Sequence, residues 1–229
     1  AIKEYKKAIA LVPNYYLLHY NLGLTQYNQK NYNEAEQTLM QAVQLNPGHA
    51  SSHLLLGYTK QNQGKRVHSL LALYNFLLLE PNSERAASAY QELRQMQQQG
   101  VSKTGDKSIN VNLNLLQGES DEFSAAEMML SLSQAAAITE KQAGKTEEEV
   151  FYESARSLFS ILGELKEDKS GFWWDFYVNF FYSMAQTENV EAMSYYISQS
   201  NGREAVGSWL DTHEEQVEKL ATWYQNHNR

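Results

Sequence analysis

The chain of 229 residues contains no cysteine and only three prolines. The first absence excludes disulfides and thiolate zinc sites. Basic residues are in the minority, 19 Lys and Arg against 27 Asp and Glu, giving a net charge of −8 and a pI near 5.3. That balance argues against a partner held by its phosphate backbone, so no nucleic acid is expected. Long apolar runs are also missing. No stretch reaches the ~18–20 apolar residues of a membrane span, although 42% hydrophobic residues allow a core of ordinary size. The lack of cysteine leaves the compartment open.

The scarce prolines are the most informative residues present. Pro13, Pro47 and Pro81 are spaced by 34 residues, each in a matching triplet (Val12-Pro13-Asn14, Asn46-Pro47-Gly48, Glu80-Pro81-Asn82). A fixed period of this length marks a helix-turn-helix solenoid, whose usual business is binding. Between Pro13 and Pro47 lie two helical patterns. One covers 15–29, with Leu18, Leu22 and Thr25 on a stripe. The other covers 32–45, with Ala35, Leu39, Ala42 and Val43 on a stripe. Asn31 and Asn33 supply the turn and an N-cap. Pro47 stops the second helix, because proline lacks the donor and disfavours a helical residue before it.

These residues resemble the tetratricopeptide repeat family, through Leu22-Gly23, Ala35, Leu39, Ala42 and Pro47, and again through Leu56-Gly57, Gly64, Ser69, Leu73 and Pro81. Gly23 falls where two helices approach closely, and Ala35 and Ala42 are small for the same reason. The second unit departs at Phe76, where the pattern wants alanine. Ala1, Tyr5, Ala8 and Pro13 fit the second helix of an earlier repeat, so the chain, which lacks an initiator Met, opens mid-repeat as a fragment of a longer protein would. Segment 83–99 fits a first helix with Gly100 as its C-cap. The expected fold is all-α: a tetratricopeptide-type α-α superhelix over 1–100, with full repeats at 16–49 and 50–83 and partial repeats either side. A linker at 101–120 and an all-helical domain at 121–229 follow.

Beyond Gly100 the family resemblance ends. Residues 101–107 read as a polar linker. Ile109, Val111, Leu113 and Leu115 alternate with polar residues in a strand pattern that has no visible hairpin partner, which points to an extended segment at 109–116 lying along a groove. Helices are expected at 123–141, at 146–165 with a Thr146/Glu149 capping box, and at 172–186, which is aromatic nearly all round and therefore buried. Further helices are expected at 190–199 and 204–210, and a last one, capped by Thr212 and Glu215, ends near Tyr224. The pair 172–199 is shaped like another repeat hairpin, with Phe180 where glycine is wanted. This half suits a cap over the last apolar face of the solenoid.

Candidate chemistry is thin. Gly144-Lys145-Thr146 and the run from Gly100 to Ser108 are near misses to a phosphate loop, the first lacking its glycine at Thr139 and the second interrupted by Asp106; neither follows a strand. His49 and His53 are one turn apart, but no third ligand accompanies them, and solvent-exposed histidines are expected. His19 and His53 occupy equivalent repeat positions, which favours packing. Glu147, Glu148 and Glu149 are ordinary dipole complements of a first helical turn. No cofactor, metal site or catalytic residue is expected.

The resemblance implies a concave face lined by the first helix of each repeat. Its peptide-binding residues would be Leu17, Tyr20, Leu24, Tyr27 and Asn28, then Leu54, Tyr58, Gln61 and Asn62, then Arg85 beside Ser88 and Glu92. Positions that clamp a C-terminal carboxylate in some members hold Tyr20, Leu24, Leu55, Arg85 and Ala89, and only Arg85 has a suitable charge. The expected function is a non-enzymatic protein–protein interaction module binding a peptide or protein segment. The alternatives are a structural or assembly protein whose groove is filled by its own 109–116 strand or C-terminal helices, and a helical enzyme in 121–229.

Overall fold

A computed structural model of the chain describes residues 1–99, 101–105, 108–111, 122–137 and 144–227, the side chains of 101–105, 108–111 and 136–137 excepted. It forms two compact units, Ala1–Glu80 and Pro81–Arg229.

The first unit is built from α1 (Ile2–Leu11), α2 (Tyr16–Asn28), α3 (Tyr32–Leu45), α4 (Ala50–Asn62) and α5 (Arg66–Leu79). Each helix packs on the next, and α2 also meets α4. The prolines act as the sequence predicts. Val12, Asn46 and Glu80, each preceding a proline, leave the helical region with ψ of 74°, 88° and 76° while their N–H groups still bond to Ala8, Ala42 and Phe76. The three helices thus end in the same way at the same repeat position.

Within each hairpin a glycine admits a leucine from the facing helix. A Cβ on Gly23 would stand 2.7 Å from Leu39 Cγ, and one on Gly57 would stand 2.9 Å from Leu73 Cδ2. Leu39 and Leu73 are fully buried, with Ala35, Ala42 and Val43 beside Leu39 on α3. In the second hairpin the Ser69 hydroxyl donates to the Gly57 carbonyl at 2.9 Å. Phe76 is fully buried on α5 at the position where α3 has Ala42, and every residue from Arg66 to Leu78 is buried.

Polar ties join the two hairpins. Lys60 Nζ on α4 lies 2.9 Å from Glu36 Oε1 on α3. Gln63 Nε2 donates to Asn33 Oδ1 at 2.9 Å and to Glu36 Oε2 at 3.0 Å. Asn31 stands at the N-cap position of α3, but its side chain makes no capping bond, contrary to expectation.

The second unit begins with α6 (Glu84–Gln98), capped by Ser83, whose hydroxyl accepts from Ala86 N at 3.1 Å. Gly100, expected as its C-cap, lies outside the described residues. A hairpin follows, β1 (Val101–Gly105) antiparallel to β2 (Ser108–Val111), with Val101 opposite Val111 and Lys103 opposite Ile109. This corrects the sequence reading twice. The stretch taken for a polar linker is a strand, and the strand at Ile109 and Val111 has a partner. Ladder bonds use only the backbone, so a strand without apolar alternation leaves no pattern to read. Leu113 and Leu115 lie outside the described residues.

Next come α7 (Ser124–Ala137) and α8 (Glu147–Lys166). Thr146 and Glu149 form the predicted capping box: Glu149 N donates to Thr146 Oγ1 at 3.2 Å, and Thr146 N donates to Glu149 Oε2 at 2.7 Å. The aromatic stretch is a π-helix, Trp173–Val178, running into α9 (Asn179–Ala185). One side is buried through Trp174, Tyr177, Phe181 and Met184, while Asp175 and Asn179 are exposed and Phe172 and Phe176 are half-buried. The all-round burial expected from composition is therefore one-sided. Phe123 stacks on Trp174 at 4.3 Å, and Phe159 of α8 stacks on Phe181 at 4.5 Å.

The remaining elements are α10 (Asn189–Tyr196), a 3-10 turn (Gln199–Asn201), α11 (Glu204–Thr212) and α12 (Glu214–His227). α10 packs chiefly on α8 and α12 rather than on α9, so the 172–199 pair does not act as a repeat hairpin. Thr212 does not cap the last helix. It is the final residue of α11, and its hydroxyl donates back to the Ser208 carbonyl at 2.8 Å. The chain instead enters α12 through His213, whose carbonyl accepts from Gln216 N at 3.0 Å.

Candidate functional site

α1 and α3 expose residues to solvent as well, but the expected binding residues of the first unit lie on α2 and α4. Their buried side carries Leu22 and Gly23, then Leu56 and Gly57. Helical spacing puts the expected binding residues on other faces. Leu17, Tyr20, Leu24, Tyr27, Leu54 and Tyr58 are half-buried, and Asn28, Gln61 and Asn62 are exposed. Arg85 is exposed on α6 and belongs to the second unit.

Several of these residues meet. Asn62 Nδ2 donates to Tyr27 Oη at 3.1 Å and to the Tyr58 carbonyl at 2.8 Å, so one amide links α4 to a tyrosine of α2. Tyr27 also packs edge-on against Tyr32 at 5.6 Å. At the other end Tyr20 and Tyr16 meet the His49 ring edge-on, at 5.0 and 4.9 Å. Tyr16 and His49 were not foreseen as part of this face. The available signal was position, since His49 is the residue immediately before α4.

The histidines are structural. His49 Nδ1 is 2.8 Å from Ser52 Oγ. His19 Nε2 lies 2.7 Å from the Pro13 carbonyl, and His53 Nε2 lies 2.8 Å from the Pro47 carbonyl. The same tie thus recurs one repeat apart. In His53 this assigns the N–H to Nε2, leaving Nδ1 to accept from Asn75 Nδ2 at 3.2 Å. His53 is fully buried and His49 half-buried, which corrects the expectation of exposed histidines. Among the described residues no group of three His, Asp or Glu could hold a metal ion.

The other candidate chemistry is likewise absorbed by structure. Lys145 pairs with Glu153 at 2.6 Å, and Thr146 is the helix cap. Arg203 binds Glu147 and sits 3.0 Å from Glu148 Oε1, close enough to pair as charges. In the second unit a groove of about 530 Å³ is lined by Glu188, Glu215, Glu218, Trp223 and His227. There Lys219 bonds Glu215 at 2.7 Å and holds its carboxyl below the ordinary range, which makes it an ion-pair partner rather than a proton donor.

A stack of helical hairpins of fixed length, closed by glycine–leucine contacts, is a helical-repeat solenoid. Two family models match it: one described as TPR repeat over residues 1–30, and one described as tetratricopeptide repeat over residues 16–49. Residues 1–49 are thus assigned as tetratricopeptide repeat, and α4–α5 repeats the geometry of the matched pair. Repeats of this family form protein–protein interaction or scaffold modules and are typically non-catalytic. The matched residues all lie in the first unit. No curated protein matches the chain. No helix among the described residues is long and apolar enough to cross a membrane.

Proposed function

We propose that the first unit binds a peptide or protein segment on the face formed by α2 and α4. One observation carries this reading. Leu22, Gly23, Leu56 and Gly57 are the buried residues through which these helices close their hairpins, while Tyr20, Leu24, Tyr27, Leu54 and Tyr58 keep solvent access on the same two helices. Tyrosine supplies broad contact area at low entropy cost, and the nearby amides supply donors and acceptors for a peptide backbone. The mechanism is passive: a preformed surface captures its partner without chemistry. The partner on this reading is protein, not nucleic acid, and no cofactor takes part.

The test is to replace Tyr27 and Tyr58 by alanine and to capture partners with the intact chain, identifying them by mass spectrometry. The expected outcome is loss of the specific partner with an unchanged circular dichroism spectrum. Truncating a contact tyrosine typically costs about 1–3 kcal/mol of binding. A variant that loses its helical signal, or one that keeps its partner, overturns the reading.

A further inference from the structure

The α2 and α4 face carries almost no formal charge. Helix α2 contains no Lys, Arg, Asp or Glu. Helix α4 contains one, Lys60, which is 5% exposed and committed to Glu36 at 2.9 Å. What remains accessible is chiefly tyrosine, leucine and side-chain amide, with His19 tied to the Pro13 carbonyl and His49 to Ser52. A charged side chain brought onto such a surface loses hydration and meets no counter-charge, so its transfer is unfavourable. Neutral groups are matched, because rings and leucines take apolar surface and the exposed amides of Asn28 and Gln61 bond to peptide groups.

We infer that the segment bound here is a peptide of uncharged side chains, recognised without ion pairs. The inference rests on the binding face proposed above and adds the chemistry of its occupant. Two properties follow. Affinity is nearly independent of ionic strength, since no counterion rearrangement accompanies binding. Adding one Lys or Asp to the bound stretch weakens it roughly tenfold.

The probe is a random peptide library displayed on phage, panned on the intact chain and counter-panned on its Tyr27→Ala/Tyr58→Ala variant. The expected result is a set of tyrosine-dependent peptides depleted of Asp, Glu, Lys and Arg. Their affinities should change less than about twofold between low and high salt. Tyrosine-dependent peptides rich in one sign of charge, with affinity falling in salt, overturn this inference and leave the binding face standing. Peptides indifferent to the two tyrosines, or no selected peptide at all, overturn both. A second variant, Gln61→Lys at an exposed position, tests the charge rule without disturbing the tyrosines. It should redirect selection toward acidic peptides and introduce salt dependence, and an unchanged selection sinks the inference.

Discussion

Gly163 offers a sharp test of packing in the second unit. It lies inside α8, where a Cβ would stand 1.9 Å from Tyr182 Cδ2, 2.1 Å from its Cγ and 2.4 Å from its Cε2. Ordinary carbon contacts are about 3.5–4.0 Å, so Gly163→Ala forces the ring to leave its place rather than to lean. Overpacking of this kind costs about 1–3 kcal/mol. Against it stands the helix propensity of alanine over glycine, about 1 kcal/mol. The net expectation is destabilisation by up to about 2 kcal/mol in an otherwise unchanged chain. With Tyr182→Ala already in place the clash partner is gone, and the same substitution should stabilise by about 0.5–1 kcal/mol. The sign therefore reverses, with a coupling energy of about 1–3 kcal/mol, the cost of the clash itself. Urea unfolding followed by tryptophan fluorescence reads this directly, because all four tryptophans (Trp173, Trp174, Trp209 and Trp223) belong to the second unit. Equal changes in both backgrounds, or a stabilised single variant, would refute the close approach of α8 to Tyr182.

Three further expectations concern named contacts. Thr146→Ala removes half of the α8 capping box and should cost about 1 kcal/mol, read as a lower urea midpoint in the same fluorescence assay. Lys60→Ala strands Glu36 between the two hairpins; because Gln63 still donates to it, we expect a loss of about 1–3 kcal/mol, less than for a fully isolated buried charge, followed by far-UV circular dichroism. The Gly171 N–H and then the Lys166 ammonium hold the Asp175 carboxyl below its ordinary value. Its folded value thus lies under the unfolded value of about 3.9, so its stabilisation is present above that pH and fades as the pH falls through the folded value. Asp175→Asn should lower the unfolding midpoint at neutral pH, and the gap to the parent chain should close in strong acid. A gap that persists there would show that the effect is not electrostatic.

How much was legible depended on whether a feature repeats or is local. The solenoid could be read because its constraints recur every 34 residues: a proline after each second helix, and a glycine opposite a leucine. The Thr146/Glu149 box could be read because both partners lie within one turn. Thr212 and Glu215 show the same spacing and were misread. There the threonine hydroxyl bonds backward to the Ser208 carbonyl, and local spacing does not decide between the two bonds. The proposed binding face was placed by family resemblance alone. Its exposure, its Asn62–Tyr27 bond and the inclusion of His49 came from how α2 and α4 lie together.

The sequence by itself determined the first unit's hairpins, their length and their ends, because proline and glycine impose backbone conformation and close approach wherever they stand. It could not determine the pairing of β1 with β2, the one-sided burial of the aromatic stretch or the burial of His53. Those depend on which distant surface arrives at a given side chain. Such contacts are chosen by the free energy of the whole packed arrangement, and nothing in the neighbouring residues records them.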